Sequence, residues 1–207
     1  MEFEYKGGNC IVISSKQATV VVDGKISSLG LKDYVVKDEI EIATQPQFAT
    51  GDCRVSIDMP GEYEVSNVSI VGIPATRLID YDESKKATIY RLVFADVTVA
   101  VLGHIANPLG DEQLEAIGVV DVLIVPVGGN GYTLDARMAA EMVRKVDPKV
   151  VIPTHYADKQ SRYEVNQDEL EPFIKELGAT HETVAKWKVK NGTMPETLTV
   201  MELTRSA

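Results

Sequence analysis

Histidine is scarce in this 207-residue chain: only His104, His155 and His181 are present. Three imidazoles are few for any centre built on histidine ligands. Cysteine is scarcer. Cys10 and Cys53 lie far apart and neither belongs to a C-x-x-C pair, which excludes a zinc ribbon and a thioredoxin-like site. Long apolar runs are missing as well. No segment approaches the roughly 18 continuous apolar residues of a membrane span, so no membrane association is expected. The opening MEFEYKGGNC has neither the basic start nor the apolar stretch of a signal peptide. The expected setting is the cytoplasm, where free thiols stay reduced. Basic charge is in deficit too: Lys plus Arg number 21 against 31 Asp plus Glu, a net charge of −10. Binding a phosphate backbone needs a concentrated basic face, so nucleic acid is not an expected partner. The densest basic cluster, Lys186, Lys188 and Lys190, alternates as one solvated face of a strand would.

Two catalytic signatures are also wanting. No serine or cysteine stands in a G-x-S-x-G elbow. Gly128-Gly129-Asn130-Gly131 is glycine-rich but lacks the spacing and the Lys-Ser/Thr of a phosphate loop.

What is present is a strand-rich first half and an alternating second half. Asn9–Ser14 and Ala18–Asp23 are β-branched runs joined by a short polar turn, which predicts a hairpin. Asp38–Ile42 alternates with period two. Arg54–Met59 and Glu62–Val65 flank a Pro60-Gly61 turn, and Asn67–Ile73 follows as a strand. The charged stretch 80–86 reads as a surface loop. Thr88–Phe94 and Val97–Leu102 form a second hairpin about Ala95-Asp96. Asp111–Ile117 is a short helix with acidic residues in its first turn, where the helix dipole favours them. Val122–Val127 is apolar on both faces, as a central strand is. Thr133 or Asp135 caps a helix over Ala136–Lys145, and Lys149–Ile152 is the next buried strand. Gln167–Leu177 reads as a third helix ended by Gly178, with Pro172 forcing a kink or a later start near Glu171. Trp187–Lys190 and Thr197–Leu203 close the chain as strands. With no repeat or linker, one domain over residues 1–207 is expected. Many strands and few helices suit two packed sheets with helices outside.

A series of short motifs adds to this. Tyr5-Lys6-Gly7-Gly8-Asn9-Cys10, Val22-Asp23, Pro60 to Val65, Gly72-Ile73-Pro74 and Thr88-Ile89-Tyr90 come first. Leu102-Gly103, Asp111 to Leu114, Pro126 to Gly129, Tyr132 to Ala136 and Val151-Ile152-Pro153-Thr154-His155-Tyr156 follow. In order and spacing they resemble the metallo-β-lactamase superfamily, in its branch of stand-alone zinc-dependent hydrolases. The resemblance implies an α/β fold, a four-layer αβ/βα sandwich, with a metal cleft along the edge of both sheets. It also implies an H-x-H-x-D-H motif on the loop after a strand. Here that loop is 43–50: Gln45 and Gln47 take the places of the first two histidines, Ala49 that of the aspartate and Thr50 that of the third histidine. Arg77 falls at the next ligand histidine, and His104 at the bridging aspartate. Gly8 stands where a histidine is usual near the N-terminus, and His155 alone matches its ligand position. Neutral glutamine is a poor zinc ligand, and arginine brings positive charge to a cation's place.

The expectation is a scaffold that has lost its dinuclear zinc centre. It would be a non-catalytic binding or assembly protein with no cofactor, its partner an unknown protein or a small anionic ligand, with a homo-oligomer possible by analogy. Two alternatives stand beside it. One is an atypical hydrolase with a single zinc held by His104, His155 and Asp23. The other is a metal-free anion binder, in which Arg77 with Gln45 and Gln47 accepts a carboxylate or phosphate. His155 and His104 are the candidate catalytic residues, since imidazole titrates near neutrality. Tyr132 borders the cleft in the family. Each has a structural reading beside it: His155 a hydrogen-bonded strand end, Asp23 the first residue of an Asp-Gly turn, Arg77 a solvated cation.

Overall fold

The structure, a computed structural model, describes residues 1–77, 86–189 and 193–206. Most of the loop expected at 80–86, and Lys190, lie outside the described residues.

Fourteen strands form two mixed sheets among the described residues. The first holds β1 (Glu2–Gly7), β2 (Cys10–Ser14), β3 (Thr19–Val22), β4 (Ile40–Ile42), β5 (Val55–Ile57) and the short edge strand β13 (Trp187–Lys188), in the order β13-β1-β2-β3-β4-β5. The second holds β6 (Gly61–Val65), β7 (Val68–Thr76), β8 (Lys86–Phe94), β9 (Val97–Val101), β10 (Val122–Pro126), β11 (Val150–Thr154), β12 (Thr180–Val184) and β14 (Thr199–Leu203). Its order is β12-β14-β11-β10-β9-β8-β7-β6. The expected hairpins are present: β2 pairs antiparallel with β3, and β8 with β9. The Pro60-Gly61 turn does something the sequence did not announce. It hands the chain from β5, at the edge of one sheet, to β6, at the edge of the other.

Side-chain alternation fixes the layers. Val122 and Ile124 of β10 face the core between the sheets, with Ile11, Ile13, Val20, Ile40, Tyr90 and Leu92. Leu123 and Val125 face the other way, into a second core with Ala139, Ala140, Val143 and Phe173. That double burial is why the strand reads as apolar throughout. The helices α1 (Asp111–Ile117), α2 (Ala136–Val146) and α3 (Glu171–Leu177) contribute their apolar faces to this second core. The outer face of the six-stranded sheet is covered more thinly. Cys10 and Val21 pack there under Ile26, Leu29, Leu31, Tyr34 and Val36, on a segment whose one regular turn is a 3-10 turn at Ser27–Leu29. The layered sandwich is thus the expected fold, with α-helices on one outer face and a 3-10 turn and loop on the other.

Local chemistry sets the element ends. Asp135, not Thr133, caps α2: its side chain accepts the Met138 N–H at 2.8 Å. Thr133 instead accepts the Gly129 N–H at 2.9 Å. Helix α3 starts at Glu171, with Pro172 in its first turn where a missing N–H costs nothing. Gln167 is therefore not helical, which matters below. Strand β12 was not expected, because THETV is exposed on both faces of the sheet's edge.

Tyr90 ties the loop after β4 to the core. It is fully buried, and its hydroxyl lies 3.1 Å from both the Ala43 and the Ile57 carbonyl oxygens. Ile57 keeps a second partner in the Ala43 N–H, but Ala43 loses its own if the hydroxyl goes. Tyr90→Phe is expected to cost about 1–2 kcal/mol in urea unfolding, the cost of a buried carbonyl left unpaired.

Candidate functional site

Strand direction brings the candidate residues to one edge. Asp23 follows β3, Thr44 and Gln45 follow β4, Arg77 follows β7, His104 follows β9, Tyr132 follows β10 and His155 follows β11. Strands β3 and β4 run parallel, as do β9, β10 and β11, so these C-terminal ends open on a common crevice. A cavity of about 510 Å³ lies there, lined by Asn9, Asp23, Lys25, Gln47, Phe48, Arg77, His104, Tyr132, His155, Tyr163 and Glu164, with Ile26 to Leu29 as one wall. Gln45 is buried behind it. Ala49 and Thr50 are not at the cleft. Thr50 turns to Glu41, whose buried carboxylate accepts its N–H and its hydroxyl, each at 2.8 Å. The loop expected to hold a metal motif thus folds partly around Glu41.

Two site residues hold strained backbone. Asp23 has φ 46° and His155 has φ 50°, the left-handed region that non-glycine residues rarely occupy. Such strain persists where the surroundings over-determine it. For His155 they do: its N–H donates to the Gly8 carbonyl at 2.8 Å.

The two histidines form the centre. Their ring centroids lie 4.6 Å apart in an edge-to-face arrangement. His104 also meets the rings of Tyr132 at 4.8 Å and Phe48 at 5.2 Å, and His155 meets Tyr163 at 4.8 Å. Both are almost fully buried. Burial, with His155 and Arg77 nearby, pushes His104 well below the ordinary histidine range. Burial also lowers His155, to about 4, against a hydrogen bond to the Gln167 side-chain oxygen that favours the charged form. Both rings are therefore neutral at pH 7.

The Nδ1 atom of each ring has a partner. Asn9 Nδ2 lies 3.1 Å from His104 Nδ1, and the Thr154 hydroxyl donates to Asn9 Oδ1 at 3.1 Å. His155 Nδ1 lies 3.0 Å from Gln167 Oε1, and Gln167 Nε2 donates to the Val165 carbonyl at 2.9 Å. His104 Nε2 is buried with no hydrogen-bond partner among the described residues. Asp23 is locked: the Thr44 N–H donates to one carboxyl oxygen and the Thr44 hydroxyl to the other, both at 2.7 Å. Burial pushes its carboxyl up to about 7, opposed by the bonds from Thr44 and Asn9 and reinforced by Glu41.

The remaining candidates bind one another. Arg77 Nη1 donates to Gln45 Oε1 at 2.9 Å, and Gln47 Nε2 donates to the same oxygen. At Gly8, φ is +56°, a conformation side chains rarely adopt, and an added Cβ would come within 2.5 Å of Leu29 Cδ1, so the Leu29 side chain would have to move to admit a larger residue. Among the described residues no three or more His, Cys, Asp or Glu side chains are grouped to hold a metal ion. Asn9, Gln167, Phe48 and Tyr163 were not foreseen. Asn9 was visible only as the neighbour of Gly8, and Gln167 was read into a helix that begins after it.

No helix among the described residues is long and apolar enough to cross a membrane. Comparison with known proteins agrees with the architecture. A protein of Thermotoga maritima, assigned to the zinc-dependent hydrolases of the metallo-β-lactamase superfamily, superposes with a TM-score of 0.75 over 98% of this chain and 99% of its own, at 23% identity. A metallo hydrolase of Ignicoccus hospitalis superposes at 0.61 over 86% of this chain and 90% of its own, at 19% identity. At those identities the likeness is one of fold. In sequence, a UPF0173 metal-dependent hydrolase of Carboxydothermus hydrogenoformans is 46% identical over 43 residues, or 21% of this chain and 19% of that protein. A UPF0173 protein of Pyrococcus furiosus is 38% identical over 63 residues, or 30% of this chain and 27% of its own. The matched segments thus span under a third of either relative. The sequence family described as the β-lactamase superfamily domain matches residues 2–155. With its two-sheet fold and its cleft at the strand ends, this chain belongs to the metallo-β-lactamase superfamily.

Proposed function

We propose that this protein is a metal-free, non-catalytic member of the superfamily whose cleft binds a small organic ligand. The observation that carries the reading is the state of Asp23. Among the described residues it and Glu164 are the carboxylates that line the cleft with the histidine pair, and both oxygens of Asp23 already accept from Thr44. These bonds hold the carboxyl against Thr44, and swinging it toward the histidine pair would stretch or break them in a buried place, at a cost of about 1–3 kcal/mol for each bond lost. The residues at the other family ligand positions do not fit a zinc pair either. Gln45, Gln47 and Arg77 are bound to one another, Gly8 has no donor, and a guanidinium repels a dication. No reaction step is therefore assigned to a metal here. A pocket of this size, with aromatic rings set among amide, imidazole and charged groups, suits a small molecule. Lys25 and Arg77 in its lining are matched by Asp23 and Glu164, so the ligand it suits is one with polar groups of both kinds.

Elemental analysis tests this. Protein purified in the presence of zinc and then desalted is expected to retain far less than one zinc per chain, and His155→Ala is expected to leave that content unchanged. About one tightly held zinc per chain, lost in His155→Ala, would support the mononuclear hydrolase instead.

A further inference from the structure

The connection from β11 to α3 is held differently from the rest of the chain. Residues 157–168 form no helix or strand, none of them is buried, and none belongs to a hydrophobic cluster. Polar ties hold the segment instead. At its base the Ala157 N–H donates to the Asp168 carbonyl at 2.9 Å, and the Asp168 N–H to the Gly128 carbonyl at 2.7 Å. At its far end the Arg162 N–H donates to the Leu29 carbonyl at 2.9 Å. Leu29 belongs to the segment that covers the six-stranded sheet and lines the cleft, so this bond links the two sides of the crevice. On its flank stands Arg205, just after β14. Its Nε lies 2.9 Å from Asp158 Oδ2, an ion pair off the line of a hydrogen bond, and its Nη2 donates to Gln160 Oε1. Arg205 is set firmly, because the Thr204 N–H donates to the Val184 carbonyl and the Ser206 N–H to the Tyr5 carbonyl, both at 2.9 Å.

We propose that residues 157–168 are a strap across the cleft, latched by Arg205, and that the strap lifts to admit or release the ligand. Space adjoins it in two places. Tyr163 and Glu164 help to line the cleft. A second cavity of about 840 Å³ is lined by the same segment together with Tyr5, Tyr156, Thr204 and Arg205. Among the described residues Tyr163 alone lines both, so its ring is the partition between them and has room to move. Lifting the strap breaks the bond to Leu29 and the ties to Arg205 and leaves both cores intact. A segment with no buried apolar anchor opens at a fraction of the free energy of global unfolding. It also takes Tyr163 and Gln167 away from His155, whose ring and Nδ1 they cover. The proposal rests on the ligand-binding reading of the cleft for its purpose. Its test needs neither ligand nor metal, so the failure of one reading is told apart from the failure of the other.

Limited trypsin digestion of the full chain tests this, because Lys159 and Arg162 are exposed on the strap. Arg205→Gln is expected to speed cleavage after Lys159 and Arg162 about three- to ten-fold, since cleavage follows the population of the open form. Cleavage after Arg144 and Lys145, exposed on α2, is expected to keep the parent's rate. Asp158→Asn removes the other half of the ion pair and is expected to act in the same direction. Diethyl pyrocarbonate, with mass spectrometry to locate the modified imidazoles, reads access to the cleft. His155 is expected to react several-fold faster in Arg205→Gln, and His181, exposed on β12, no faster than in the parent. Strap sites cut at the parent's rate in both variants would overturn the proposal. So would equal acceleration at the α2 sites, or faster cleavage of the strap with His155 no more reactive.

Discussion

Replacing Gly128 by alanine is expected to destabilise the protein by about 3 kcal/mol or more, and to disorder the histidine pair along with it. A Cβ on Gly128 would stand 2.1 Å from the His155 carbonyl oxygen and 2.2 Å from Gln167 Oε1. The first neighbour is backbone in a left-handed conformation, fixed by the Gly8 carbonyl, and has little freedom to retreat. The second is the oxygen that lies 3.0 Å from His155 Nδ1. Relief must come from moving strand end, Gln167 or both. Urea denaturation gives the stability, and the His155 ring resonances give the disorder. A Gly128→Ala variant as stable as the parent, with His155 unmoved, would mean that the approach of these loops is looser than described.

The second large effect is electrostatic and depends on pH. Asp23 ionises at about 7 in the folded chain, against roughly 3.9 in an unfolded one. Between those values the folded state holds a proton that the unfolded state has released, so Asp23's contribution to stability is complete below about pH 4 and is lost as pH rises through 7. The loss is on the order of 4 kcal/mol, since the group is fully buried. His104 and His155 act in the opposite direction. Their folded pKa values lie below the usual 6.5 or so, His155 at about 4, and acid favours the unfolded state as that chain's imidazoles take up protons. Their contribution is complete above about pH 6.5 and is lost as pH falls towards 4 and below. In the wild type the two slopes oppose each other between about pH 4 and 6.5. Asp23→Asn keeps the shape and tolerates the left-handed backbone. It is expected to be more stable than the parent at pH 8, to gain nothing at pH 4, and to fall away more steeply in acid. Guanidinium melts of both proteins from pH 4 to 8 measure this. A constant difference across that range would show that Asp23 is ionised throughout.

The fold could be read from the chain because burial leaves periodic marks. The runs at 122–127 and 149–152 are apolar on both faces because they are central strands, and His155 follows at the strand end that the cleft uses. The thin outer layer at 24–36 left no such mark, since a 3-10 turn and loop cover that face without helical periodicity. The passage of the chain between sheets at Pro60 was equally hidden, because a turn signal does not say which sheet each flanking strand joins.

The site was legible as a set of substitutions and not as a network. Gln45, Gln47, Arg77 and His104 stand out only against a pattern they break. Nothing in their spacing says that Arg77 and Gln47 both donate to Gln45, or that Asp23 is held by Thr44. Asn9 and Gln167 are 158 positions apart and meet the histidines through tertiary packing alone. Gln167 was obscured further by Pro172, which moves the start of α3 past it. An amide that leaves a helix to orient an imidazole has no local signature.

The central claim is that the cleft is organised by its own hydrogen bonds and takes no metal. Isothermal calorimetry of zinc chloride into the full-length chain at pH 7.5 tests it most directly. The account predicts a flat titration beyond weak surface binding, with His104→Ala and His155→Ala indistinguishable from the parent. Tight uptake of one or two zinc ions per chain, abolished by either substitution, would contradict it.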